Sequence, residues 1–126
     1  MDDRRVRNGE DLRVRTKQFA LRVLRLYRSL PCRDEARVIG KQLLRSGTSV
    51  GANYRAACRA RSKAEFIAKM GIVLEEADEA VFWLELLREG GIVDPKKLHN
   101  LVNEAEELTA IFVASLRTAK GITPAA

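Results

Sequence analysis

The feature of this sequence that most limits its fold is a helical spacing of apolar residues, which repeats over nearly the whole length. In the first such segment Phe19, Val23 and Leu26 recur at intervals of four and three, as expected for the buried stripe of an amphipathic helix. Pro31 follows, and a proline disfavours helical backbone at the residue before it. The first helix is therefore predicted over about 11–30.

The second segment contains a stretch, SGTSVGAN at 46–53, that resembles a loop when taken alone. Apolar positions nevertheless keep their helical phase across it, so a single helix is predicted over about 34–61. Gly40, Gly47 and Gly51 form a row on this helix. Each interior glycine disfavours a helix by about 1 kcal/mol relative to alanine, so the row indicates that another helix approaches the backbone closely there.

Two N-terminal caps define the remaining helices. Ser62 with Glu65 forms a capping box, which predicts a helix over about 63–90 that ends at a pair of glycines. Asp94 followed by Pro95 predicts the start of a fourth helix, which extends to about 120. Residues 1–10 and 121–126 are expected to be flexible. Because the connections are short, the sequence predicts an all-α, antiparallel up-down-up-down four-helix bundle over 11–120.

Positive charge is concentrated in the N-terminal half of the chain. The 126 residues, the size of one domain, contain 23 Lys+Arg and 17 Asp+Glu, a net charge of +6. Residues 1–61 hold 16 basic and 6 acidic side chains, whereas residues 62–126 hold 7 and 11. Such segregation indicates either a polyanionic partner or a complementary surface on another subunit.

Arginine provides most of this charge, and it is the side chain best suited to bidentate phosphate contacts. We expect the basic faces of the first two helices to form a continuous phosphate-binding strip. The alternative is that acidic residues of the third helix neutralise these arginines, within the bundle or between subunits. The candidate nucleic-acid-binding residues are Arg15, Arg22, Arg25, Arg37, Lys41, Arg45, Arg55 and Arg59.

The third helix has apolar residues outside its main buried stripe. Ile72, Trp83 and Leu86 lie there among glutamates. An apolar stripe in addition to the one that faces the core predicts contact with another subunit or a protein partner.

No catalytic, metal or cofactor site is predicted, and the expected function is non-enzymatic. A di-iron bundle needs two Glu-x-x-His pairs, and the chain has one histidine, His99. The serines of the second helix lack the sequence context of a nucleophile. Two cysteines do not form a disulfide framework, and there is neither a secretory signal nor a membrane-spanning apolar run. A cytoplasmic location is expected.

Three segments of the sequence closely resemble a known family, the four-helix-bundle proteins named after the intervening sequence of 23S rRNA genes. The segments are KQLLRSGTSVGANYR (41–55), SKAEFIAKMGI (62–72) and LEEADEAVFWLELL (74–87). The most specific elements are Arg45, Ser49 and Asn53 on the second helix and the run Glu76, Glu79 and Trp83 on the third.

The resemblance implies a small bundle that assembles into a homopentamer without enzymatic activity. Some relatives are similar to the accessory variability determinant of diversity-generating retroelements, a basic pentamer that binds nucleic acid and a reverse transcriptase. One position departs from the family pattern, because Ala56 stands where a glutamate usually follows the Tyr-Arg pair.

Arg45 and Asn53 have two interpretations within this pattern. They can fix the register of packed helices, with Arg45 bound to an acid on the third helix and Asn53 hydrogen bonded. Alternatively, both face a ligand. The structural interpretation is favoured because polar groups on closely packed helix faces need partners when buried.

Overall fold

Four long helices make up the described part of the chain. The structure is a computed structural model that describes the backbone of residues 3–122 and the side chains of residues 11–122. Within that range it contains no strand. The helices are α1 (Asp3–Ser29), α2 (Asp34–Cys58), α3 (Lys63–Glu89) and α4 (Pro95–Ala119).

Two helix bounds differ from those expected. α1 begins at Asp3 rather than near residue 11, because apolar periodicity marks only the part of a helix that packs on the core. α2 ends at Cys58 rather than at 61, since the chain must reverse before the cap of the next helix. Of the segment 121–126 that is expected to be flexible, 123–126 lie outside the described residues, as do residues 1–2.

The predicted helix starts are confirmed in atomic detail. The Ser62 hydroxyl accepts a hydrogen bond from the Glu65 backbone N–H at 3.1 Å, and the Glu65 carboxylate accepts one from the Arg61 N–H. Asp94 accepts a hydrogen bond from the Lys96 N–H at 2.9 Å. Each cap satisfies a backbone donor that the first turn of the helix leaves unpaired.

The ends of α3 and α4 use glycine in the left-handed region. Gly91, just after α3, has φ of 70°, and Gly121, just after α4, has φ of 74°. A side chain disfavours this backbone conformation, whereas glycine adopts it readily. The glycines therefore stop both helices where the apolar pattern ends.

A single apolar core joins the four helices. Phe19 of α1, Leu43 of α2, Leu84 of α3 and Phe112 of α4 are all essentially inaccessible to solvent. The ring centroids of Tyr54 and Phe112 lie 6.0 Å apart. The pKa of the Tyr54 hydroxyl is raised above its usual value, mainly because the hydroxyl is buried. These residues occupy the stripes that the sequence periodicity predicts.

The glycine row of α2 brings α1 into close contact, as predicted. A Cβ at Gly47 would lie 2.9 Å from Val23, and one at Gly51 would lie 3.4 Å from the Thr16 carbonyl oxygen. A Cβ at Gly40 would lie 2.5 Å from Leu30. The contact positions on α1 therefore run from Leu30 back to Thr16 as those on α2 advance.

α2 packs against α1 and α3, and α3 packs against α4. Contact between α1 and α4 is sparse, and a cleft of about 590 Å³ opens beside Leu12, Phe66 and Ile111. In the described part of the chain, no helix is long and apolar enough to cross a membrane.

Candidate nucleic-acid interface

Arg15, a predicted phosphate ligand, is bound to carboxylates of α4. Its Nη2 lies 2.5 Å from Oε1 of Glu104 and 3.4 Å from Oε1 of Glu107. The hydrogen bond to Glu104 is the main cause that raises the pKa of the Arg15 guanidinium. Since α1 and α4 otherwise touch little, this ion pair is a principal polar link between them.

Arg45, a second predicted phosphate ligand, is bound to carboxylates of α3. Its guanidinium donates to Glu76 at 3.1 Å and to Glu79, and the Glu79 carboxylate also accepts from the Trp83 indole N–H at 3.1 Å. The side chain of Arg45 is 48% exposed. The predicted contact with an acid on the third helix is therefore present.

Asn53 does not link two helices. Its side-chain amide donates to the Ser49 carbonyl oxygen, one turn earlier on α2, at 2.9 Å. The Asn53 amide is hydrogen bonded, as the structural interpretation expects, but this bond lies within α2 and so does not fix the register between two helices of the single chain. Its polar group is satisfied locally, as is common for short polar side chains in helices.

The remaining basic residues of α2 form an exposed face. Arg37, Lys41 and Arg55 are spaced by 4 and 14 residues, which keeps them on one side of α2, and Arg59 follows just beyond its last residue. All four are exposed. Among side chains 11–122, no carboxylate lies within 4 Å of any of them.

The two remaining basic candidates of α1 lie elsewhere. Arg22 and Arg25 line a cleft of about 440 Å³ together with Asp94 and Lys97, near the turn between α3 and α4. They therefore lie on the α4 side of α1, and the expected continuous strip through Arg15, Arg22, Arg25 and the α2 residues does not form. Periodicity shows that a charged residue faces outward, but not which neighbouring helix it lies beside.

Two basic residues of α1 that are not among the predicted ones, Arg13 and Lys17, lie beside the basic face of α2. They line a groove of about 210 Å³ with Arg55. Their spacing of four residues places them on one side of α1. The spacing of Arg13 and Lys17 is visible in the sequence. The arginines Arg15, Arg22 and Arg25 of the same helix form a larger group, however, and therefore indicate a phosphate-binding face more strongly.

The predicted subunit-facing residues of α3 lie partly at the surface. Ile72 is 43% exposed, whereas Trp83 and Leu86 are half-buried. Phe82, which is not among the predicted residues, is 51% exposed, and its ring contacts that of Trp83 edge to face at 5.0 Å. The apolar surface of α3 therefore includes Ile72 and Phe82 as its most accessible members.

No three potential metal ligands cluster among the described side chains. The imidazole of His99 contacts the amide of Asn103 at 3.2 Å, one turn later on the exposed side of α4. Cys32 and Cys58 are both free thiols.

These features define a class of protein: a four-helix bundle with an exposed basic face and a partly exposed apolar face. The sequence pattern of the 23S rRNA-intervening sequence protein family matches residues 10–114. The chain belongs to this family.

Solved structures also match the chain, and one of them is similar to it in both sequence and fold. It is a crystal structure of a protein of unknown function from the S23 ribosomal protein family of Bacteroides thetaiotaomicron, 35% identical, with a TM-score of 0.80. The match covers 86% of this chain and 97% of that one. A comparison with curated proteins finds no match.

Proposed function

We propose that this chain is a non-enzymatic, oligomeric helical-bundle protein of the cytoplasm that binds RNA or another nucleic acid through basic residues of α1 and α2. The main observation in support is the exposed face of Arg37, Lys41, Arg55 and Arg59, which has no carboxylate within 4 Å among side chains 11–122. Cationic side chains that protein carboxylates do not neutralise are suited to phosphates, and they displace condensed counterions when they bind.

RNA is the first nucleic acid to test, because the family takes its name from an intervening sequence of 23S rRNA. In this proposal Arg15 and Arg45 contribute less to nucleic-acid binding than the other candidates do. Each would have to break its ion pairs with glutamates to contact a phosphate. Arg22 and Arg25 form a second basic region, in a cleft that Asp94 and Lys97 also line.

We infer an antiparallel up-down-up-down arrangement and assembly into a homopentamer. The order of the contacts between α1 and α2 supports the antiparallel arrangement, as do the short connections between consecutive helices. The resemblance to the family supports the pentamer. Light scattering on the purified protein measures the subunit number directly.

Binding of a labelled single-stranded RNA at several salt concentrations tests the main proposal. The logarithm of the affinity should fall linearly with the logarithm of the salt concentration, with a slope that reports the number of phosphates contacted. Absence of binding at about 50 mM salt, where such contacts are strong, would show that the proposal is wrong.

The second candidate function is that of a scaffold, in which the charged and apolar faces serve subunit assembly or a protein partner. The exposure of Ile72 and Phe82 on α3 favours it, since accessible apolar residues on a helix are suited to interfaces. A stable oligomer that does not bind RNA at low salt would favour this function over the first. A monomer at all concentrations would argue against subunit assembly.

A further inference from the structure

The groove between α1 and α2 combines three cations with several small residues. Arg13 and Lys17 of α1 and Arg55 of α2 line it together with Ala20, Gly51 and Ala52. Its volume is about 210 Å³. All three cationic side chains are exposed, so their charged ends are accessible from solvent.

Close packing of the two helices creates this arrangement. A Cβ at Gly51 would lie 3.4 Å from the Thr16 carbonyl oxygen, so the α1 backbone runs directly beside this glycine. The small side chains of Ala20 and Ala52 leave space above the contact. Cations from two different helices can therefore approach one small ligand.

The hydroxyl groups in the groove already have partners. Thr48 donates to the Leu44 carbonyl oxygen at 2.7 Å, and Thr16 donates to that of Arg13 at 3.2 Å. The cationic groups differ from them, because among side chains 11–122 no carboxylate lies within 4 Å of Arg13, Lys17 or Arg55. Their N–H donors are thus the groups available to an anion.

We propose that this groove binds one phosphate group of a nucleic-acid backbone, with Arg13, Lys17 and Arg55 as its ligands. The inference rests on the proposed function and gives it a location and a ligand chemistry. Guanidinium groups contact two oxygens of a phosphate at once, whereas the lysine ammonium acts as a compact charge. Three such groups from two helices suit the several oxygens of one phosphate.

The lining also determines the kind of recognition. The groove has no aromatic side chain on which a base could stack, and no Asn, Gln, Asp or Glu that could read a base edge. Contacts to phosphate position a nucleic acid but do not distinguish its sequence. The groove therefore binds RNA without sequence preference.

A matched pair of triple variants tests the assignment. The groove variant is Arg13→Gln, Lys17→Gln and Arg55→Gln, and the control is Arg88→Gln, Arg117→Gln and Lys120→Gln, which removes the same charges from α3 and the end of α4. The probe is a labelled single-stranded RNA of about 20 nucleotides and mixed sequence, followed by fluorescence anisotropy from about 50 to 300 mM salt, the range in which phosphate contacts weaken.

We expect the groove variant to lose at least about tenfold in affinity and to reduce the salt slope by about one, as for loss of a phosphate contact. The control should lose less than about threefold. An equal loss in both variants would show that net charge, rather than the groove, governs binding, and would overturn the assignment.

A variant that keeps every charge tests whether RNA affinity depends on the groove itself or only on the overall positive charge. Ala52→Leu places a larger side chain at an exposed position of α2 that lines the groove, without changing any charge. We expect a loss of at least about fivefold in affinity, with unchanged circular dichroism and light scattering. Unchanged affinity would overturn the assignment.

The outcomes distinguish this inference from the proposed function on which it rests. If the unmodified protein does not bind the RNA at about 50 mM salt, the proposed function fails and the groove assignment fails with it. If the unmodified protein and the groove variant bind equally well, only the groove assignment fails, and Arg22, Arg25, Arg37 and Lys41 become the residues to test.

Discussion

At the scale of single residues, carboxylates decide which of the basic side chains are available for a ligand. Glu79 accepts from both Arg45 and Trp83, so one carboxylate joins α2 to α3 and also fixes an aromatic ring. Glu104 holds Arg15 in a similar way. Arg37 and Arg55, which are exposed on α2, have no such partners among side chains 11–122.

A double-mutant cycle should measure a small but definite coupling between Arg45 and Glu79. Arg45 is half exposed, and exposed ion pairs contribute about 0.2–1 kcal/mol. We expect a coupling near the upper end of that range, because the Glu79 side chain is only 35% exposed and the hydrogen bond joins two charged groups. Chemical denaturation of the single variants Arg45→Ala and Glu79→Ala and of the double variant gives the value.

Arg33 and Glu35 provide the control pair for this cycle. Their charged atoms lie 3.6 Å apart, both side chains are more than half exposed, and they belong to the same short segment. We expect a coupling near zero for them. A larger coupling for Arg33 and Glu35 than for Arg45 and Glu79 would contradict the bridging role of Arg45.

At the scale of secondary-structure elements, glycines at different positions in helices have opposite energetic effects. Gly47 of α2 faces Val23, which is fully buried and, as a β-branched residue, has a restricted χ1. A Cβ added at Gly71 of α3 would meet no neighbouring atom within 4 Å among the described residues. The first glycine permits packing, whereas the second only lowers helix propensity.

Alanine substitutions at these two glycines should therefore change stability in opposite directions. Gly71→Ala should stabilise the fold by about 1 kcal/mol through helix propensity alone. Gly47→Ala should destabilise it by about 1 kcal/mol, because overpacking costs about 1–3 kcal/mol and exceeds the propensity gain. Urea denaturation at a fixed protein concentration measures both, and destabilisation by Gly71→Ala would indicate that this position packs against another subunit.

The capping box of α3 gives a second prediction at this scale. Ser62→Ala removes the hydroxyl that accepts from the Glu65 N–H, and loss of such a cap costs about 1 kcal/mol. Ser62→Asp retains an acceptor and adds a favourable charge at the helix N-terminus, so we expect it to be close to the unmodified protein. Equal thermal stability of the alanine and aspartate variants would contradict the role of the cap.

At the scale of the whole molecule, the chain presents two chemically different surfaces. One is the basic side formed by α1 and α2, and the other is the apolar side of α3 around Ile72 and Phe82. A nucleic acid is suited to the first and another subunit to the second, so the two proposed functions need not compete for one surface.

Polar substitution at the apolar side of α3 should weaken the proposed oligomer. Ile72→Ser with Phe82→Ser removes the accessible apolar area without disturbing the core, whereas Trp83→Ala would also remove a side chain that packs against the core. Light scattering should show a shift towards monomer. Val14→Ser is the control, because Val14 is 58% exposed on α1, and an equal shift for it would contradict the use of α3.

The order of residues alone predicts the four helices, their caps and the close approach of α1 to the glycines of α2. Each of these features depends on local chemistry or on the phase of residues along one helix, both of which are present in the order of amino acids. The predicted start of α1 is too late because the first turns of this helix do not follow the apolar pattern.

Which charged residues come together depends instead on how the helices pack. Five basic residues of α1 look alike in the sequence but lie in two places. Packing puts Arg15, Arg22 and Arg25 towards α4. It puts Arg13 and Lys17 beside Arg55 of α2. A charged residue is compatible with any solvent-facing angle of a helix. The neighbour it meets therefore depends on how each helix is rotated in the bundle, and the packing of all the apolar stripes together fixes that rotation.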